Sequence, residues 1–154
     1  MTNTTDRIEK KILLRAPQSR VWRALTNSAE FGEWFGVKFE SEFVPLHAIS
    51  GTITNPKGYE HVTWKIIVDE IVPEKLFSFF WHPYAVDPNV DYSDETPTKV
   101  TFELREAPDS GTWLTLVESG FDKVSAARRA KAFEMNDRGW AEQLKNIERH
   151  VAQG

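Results

Sequence analysis

Apolar and polar positions change period twice along the chain. Residues 7–15, RIEKKILLR, read as a first strand. Ala16-Pro17 breaks it, and Pro17 suits the first turn of a helix. Val21, Trp22 and Leu25 then recur at helical spacing. Thr26-Asn27-Ser28 is a stop followed by a new cap, with Ser28 the predicted N-cap of a second short helix. That helix carries Phe31, Trp34 and Phe35 on one face, and Gly36 ends it.

About ninety residues of strand-like sequence follow. Val37 to Val44 alternates with period two, placing Val37, Phe39, Ser41 and Phe43 on one face and Lys38, Glu40 and Glu42 on the other. Further strands are predicted at Ile49–Asn55, His61–Val72 and Lys75–His82, separated by the turn signals Asn55-Pro56-Lys57-Gly58 and Pro73-Glu74. Lys99–Glu106 and Thr112–Gly120 form a hairpin around Asp109-Ser110-Gly111. Between the strand Lys75–His82 and this hairpin, residues 83–97 (PYAVDPNVDYSDETP) are too polar and proline-rich for a strand and read as a loop.

The chain closes on one long amphipathic helix, roughly Val124 to Val151. Its stripe runs Ala126, Ala130, Phe133, Asp137, Trp140, Leu144, Ile147, Val151. Two positions break the pattern. Gly139 costs about 1 kcal/mol against Ala inside a helix. Asp137 puts a carboxylate on the apolar stripe. Strands joined by short turns exclude a doubly wound parallel sheet. The expected architecture is α+β: a curved antiparallel sheet wrapped around the terminal helix, in one domain over residues 1–154 with residues 1–6 disordered.

Composition narrows the chemistry. Six Trp and ten Phe are a heavy aromatic load for 154 residues, and such rings fill cores or line pockets for flat apolar ligands. The net charge of −4 argues against nucleic acid as a partner. Arg128, Arg129 and Lys131 read as a solvated helix face. With no cysteine there is no disulfide, thiolate nucleophile or cysteine-ligated metal. No apolar run is long enough to span a bilayer, and residues 1–6 lack the apolar core of a signal peptide, so a cytoplasmic location is expected.

Candidate chemistry is sparse. His47, His61, His82 and His150 have no metal spacing, though His82 stands where a pocket mouth would be. Ser78 and Ser119 have no linked His and acid. Asp87, Asp91, Asp94 and Glu95 lack an EF-hand register and read as a solvated loop. No metal and no cofactor is expected. The candidate cavity lining is Trp34, Phe39, Trp64, Phe79, Trp113, Phe133 and Trp140, with Asp137 as polar anchor; for the rings, ordinary core packing is the competing reading.

Arg15-Ala16-Pro17, Val21-Trp22-Arg23-Ala24-Leu25-Thr26, Phe31 and Trp34-Phe35 resemble the opening of SRPBCC (START-like, helix-grip) proteins. Lys99 to Leu104, Gly111-Thr112, Leu114 to Leu116, Ser119 to Phe121, Gly139-Trp140 and Leu144 are similar to the last hairpin and helix of the group named for the activator of heat-shock protein 90 ATPase. The resemblance implies a helix-grip fold with an apolar cavity between sheet and C-terminal helix, taking lipid-, sterol- or polyketide-like molecules. The leading expectation is therefore a binding protein for a small hydrophobic or aromatic molecule. A co-chaperone-like or stress-related interaction module is the alternative, with a chaperone as partner. A cyclase- or hydrolase-type enzyme using the same cavity is a third.

Overall fold

The computed structural model describes residues 7–54, 62–87 and 89–153. The N-terminal hexapeptide, the turn at Asn55 to Gly58 and His61 lie outside the described residues. The elements are β1 (Arg7–Leu14), α1 (Gln18–Thr26), α2 (Ser28–Phe35), β2 (Val37–Phe39), β3 (Ala48–Ile53), β4 (Thr63–Val72), β5 (Leu76–Trp81), β6 (Thr98–Ala107), β7 (Gly111–Ser119) and α3 (Arg129–Ala152). The strands form one curved antiparallel sheet in the order β1-β7-β6-β5-β4-β3-β2, with α3 packed on its concave side. This is the helix-grip architecture expected from the sequence.

Period-two alternation decides what faces α3. Thr112, Leu114, Leu116 and Glu118 of β7 are buried, as are Thr98, Val100, Phe102 and Leu104 of β6. Phe77 and Phe79 of β5 complete this face. Phe31 of α2 meets Phe79 and Phe102 edge-on at 6.3 and 6.2 Å, so the centre of the domain is a packed aromatic core.

Three local expectations are corrected. Asn27, not Ser28, caps α2: its side chain accepts a hydrogen bond from the Glu30 N–H at 3.0 Å. The alternating run after Gly36 is not one strand. β2 ends at Phe39, and Phe43 turns into the core beside Phe39 and Phe77, at 5.0 and 5.3 Å between centroids. Burial of that ring draws the chain away from the edge position, and pairing with β3 beyond Phe39 is limited, among the described residues, to the Glu40 N–H on the Ser50 carbonyl at 3.1 Å. Lastly, α3 starts at Arg129, so Ala126 lies before the helix, and Ala126 and Ala130 are both exposed.

One close approach positions α2 against the sheet. A Cβ on Gly32 would stand 2.0 Å from the Val37 carbonyl oxygen. Backbone cannot yield as a side chain can. Gly32→Ala is therefore expected to cost about 2–3 kcal/mol in denaturant unfolding; an unchanged midpoint would contradict the packing.

Candidate functional site

At the inner ends of β5, β6 and β7 the concave face carries a buried carboxylate. Trp81 lies opposite Thr98 across β5–β6, and Val100 opposite Glu118 across β6–β7. Glu118 is fully buried and accepts hydrogen bonds from four side chains. Trp81 Nε1 and Thr98 Oγ1 each donate to Oε2 at 2.6 Å. Trp140 Nε1 donates to Oε1 at 2.9 Å. Asn136 Nδ2 reaches Oε1 at 2.9 Å and Oε2 at 3.2 Å. Burial pushes the Glu118 pKa above the ordinary carboxylate value, and these donors pull it back only in part. Asn136 and Trp140 stand four residues apart on α3, on one helix face. Glu118 thus ties α3 to three strands.

Above this cluster the rings continue outward. Trp140 packs on Trp81 at 5.6 Å and on Phe35 at 5.7 Å; Phe35 meets Trp64 at 5.1 Å. Beyond Phe35 and Trp64 the aromatic packing opens into a cleft of about 660 Å³. Phe35, Val37, Ile53, Trp64, Tyr84 and Val86 form one wall, and Met135, Arg138, Gly139, Glu142 and Gln143 of α3 form the other. A second lobe shares Phe35, Trp64, Tyr84 and Val86 and reaches Trp81, His82 and Asn136. Gln143 is anchored by donating to the Phe35 carbonyl at 2.8 Å. A Cβ on Gly139 would meet nothing within 4 Å, so this helix glycine borders open space.

The loop at 83–97 closes one side of the cleft through Tyr84 to Val86. Arg128 holds it there. Its guanidinium donates to both Glu95 oxygens and to the Pro83 carbonyl (2.7 Å), and it lies 4.8 Å from the centre of the Tyr92 ring. Arg128 and Glu95 therefore pair with each other, which corrects the solvated helix face and the solvated loop expected of them. Burial acts to raise the Glu95 pKa, but the bonds and charge of Arg128 outweigh it and the net shift is downward. A depressed pKa means stability that is present above the ordinary carboxylate range and lost as pH falls through the folded value. The Tyr92 ring resonances are expected to move to loop-released positions on acidification, and Glu95→Gln should produce those positions at neutral pH. Tyr92 shifts that ignore both changes would contradict the strap.

Two of the eight predicted lining residues border this space. Trp64 lines the cleft, and Trp140 lines a small niche next to it. The others lie elsewhere. Trp34 is buried under α1, donating to the Ala24 carbonyl at 2.9 Å. Phe79 is wholly in the core, and Phe39 packs between Phe43 and Trp64. Phe133 packs on Phe121 at 5.1 Å. Trp113 takes the outward phase of β7, with Lys11 Nζ 4.4 Å above its ring. Asp137 is half-exposed and pairs with Lys10 of β1 at 3.1 Å, away from the cleft. Going back from Trp140, the buried face steps by four to Asn136 and Ala132, not by three to Asp137 and Phe133; a 3.6-residue period allows either.

The sequence analysis names neither Glu118 nor Asn136, and it singles out Gly139 and Phe35 without placing them beside a cleft. The signal for Glu118 was present: it continues the inward phase of Leu114 and Leu116. His82 does reach the second lobe, with Nδ1 buried and unpartnered among the described residues, and burial lowers its pKa. Among the described residues no group of His and acidic side chains could hold a metal, and no helix is long and apolar enough to cross a membrane.

The fold agrees with what the chain is similar to. No curated protein matches it. Among solved structures, protein MLL2253 from Mesorhizobium loti is 23% identical, with a TM-score of 0.73 over 96% of this chain and 97% of that one. The Aha1 dimer from Colwellia psychrerythraea is 16% identical, with a TM-score of 0.67 over 92% of each chain. DynU16, a protein in the dynemicin biosynthetic locus, is 19% identical with a TM-score of 0.69; the match covers 96% of this chain and 47% of DynU16. Residues 15–152 match the family model itself, and the chain belongs to the Activator of Hsp90 ATPase homolog 1-like protein family.

Proposed function

We propose that this protein binds a small, flat, hydrophobic or aromatic molecule in the cleft between Trp64 and α3. The carrying observation is Gly139. A glycine inside a 24-residue helix sacrifices about 1 kcal/mol, and here it stands on the α3 wall of the cleft, where even an added Cβ would meet nothing within 4 Å. The cleft volume of about 660 Å³ falls in the range of small-molecule sites, and its aromatic wall suits a planar ligand. The presence of DynU16 in the dynemicin biosynthetic locus agrees with a polyketide-like ligand class. Native mass spectrometry of the purified protein beside a denatured control is expected to reveal excess mass that denaturation removes. A bare polypeptide mass that stays bare after incubation with 2-naphthol would count against the reading.

A second reading is protein interaction, in keeping with the chaperone activator for which the family is named. Its observation is the exposed apolar group Val44, Leu46 and Ile67, in which Leu46 is 78% exposed. Leu46→Ser would weaken capture of a purified chaperone under this reading and leave the cleft untouched.

A further inference from the structure

The polar floor of the cleft has a fixed direction. Asn136 is half-buried and borders both the second lobe and the niche beside Trp140. Its Nδ2 is committed to the two oxygens of Glu118. Those oxygens also accept from Trp81, Trp140 and Thr98, and an indole N–H only donates. Reversing the amide would set its oxygen against an acceptor already crowded with donors, so the carboxylate selects one orientation. Asn136 Oδ1 then faces away from Glu118 and takes no hydrogen bond among the described residues.

We infer that Asn136 Oδ1 is a preset hydrogen-bond acceptor at the inner end of the cleft, so that the cleft selects aromatic molecules carrying a hydroxyl or ring N–H. Glu118 is the positioning residue: it touches no ligand and holds the amide. The role expected of Asp137 from the sequence falls to its neighbour, uncharged and one residue earlier. A ligand donor that reaches Asn136 slides its ring along Trp81 and Phe35, the aromatic surface nearest the amide. A ligand carboxylate would meet an acceptor there and gain nothing.

The inference rests on the cleft being a ligand site, and the test separates the two claims. The probes are 2-naphthol and 2-fluoronaphthalene, alike in shape and different in the donor, titrated by tryptophan fluorescence. For the wild type, the ratio of the two Kd values is expected to favour 2-naphthol about tenfold more than in Asn136→Leu, the worth of one good hydrogen bond. The Kd of 2-fluoronaphthalene should stay within about twofold, well below that effect. Glu118→Gln, which gives the amide a second way to turn, should lose part of the same ratio. If the leucine variant does not fold, the wild type alone decides by NMR: 2-naphthol should shift the Asn136 side-chain amide and 2-fluoronaphthalene should not. Equal responses to both probes would overturn the acceptor and leave the aromatic cleft standing. No binding of either probe would overturn both.

Discussion

Glu118→Ala should be among the most destabilising single changes in this protein, costing about 4 kcal/mol. The estimate counts donors. Four side chains, Trp81, Thr98, Asn136 and Trp140, aim N–H or O–H groups at the Glu118 carboxylate. Each would be left unsatisfied or half-satisfied, at roughly 1 kcal/mol or more apiece. Glu118→Gln keeps one acceptor oxygen and sets an amide N–H₂ among donors, so about half that loss is expected. The wild-type pH dependence has a sign. Because burial raises the folded pKa above the unfolded one, the Glu118 contribution is complete below the ordinary carboxylate range and declines as pH rises through the folded value. Urea unfolding of the three proteins at several pH values checks this. A Glu118→Ala variant as stable as wild type would show that the carboxylate does not hold α3 to the sheet.

Gly139→Trp should do the reverse: abolish ligand binding and leave the fold intact. The new Cβ meets no atom within 4 Å, and any residue but proline suits a helix interior better than glycine. The indole would occupy the space between α3 and the Phe35–Trp64 wall. The expected result is a loss of affinity for 2-naphthol of at least about a hundredfold, more than 2.7 kcal/mol, with an unfolding midpoint at or above that of wild type. Gly139→Ala, which adds one methyl group, should stabilise by up to about 1 kcal/mol and bind nearly as well. Binding that survives the tryptophan would place the ligand elsewhere.

These two residues mark where the sequence was legible and where it was not. The fold could be read because its signals are local. Pro17 and Gly36 bracket the helical pair, turn residues separate the strands, and alternation in β6 and β7 names the buried face. The site depends on angles that local patterns leave free. On α3, a step of three or four residues back from Trp140 chooses between Asp137 and Asn136, and the choice is made by Lys10 and Glu118 on other elements. The anomaly at Gly139 was visible as a cost, but its place on a cleft wall required knowing that Trp64 lines the same space. The pairing of Arg128 with Glu95 spans 33 residues, and each alone reads as a surface charge.

The reading stands or falls on whether the cleft beside Gly139 takes a ligand. Its most direct test is a ¹H–¹⁵N correlation titration of the wild-type protein with 2-naphthol. Saturable shifts are expected, centred on the Gly139 and Phe35 amides and the Trp64 indole N–H, with the Trp113 indole on the opposite face unmoved. Shifts centred on Trp113 or spread over the outer sheet face, or none at millimolar probe, would contradict it.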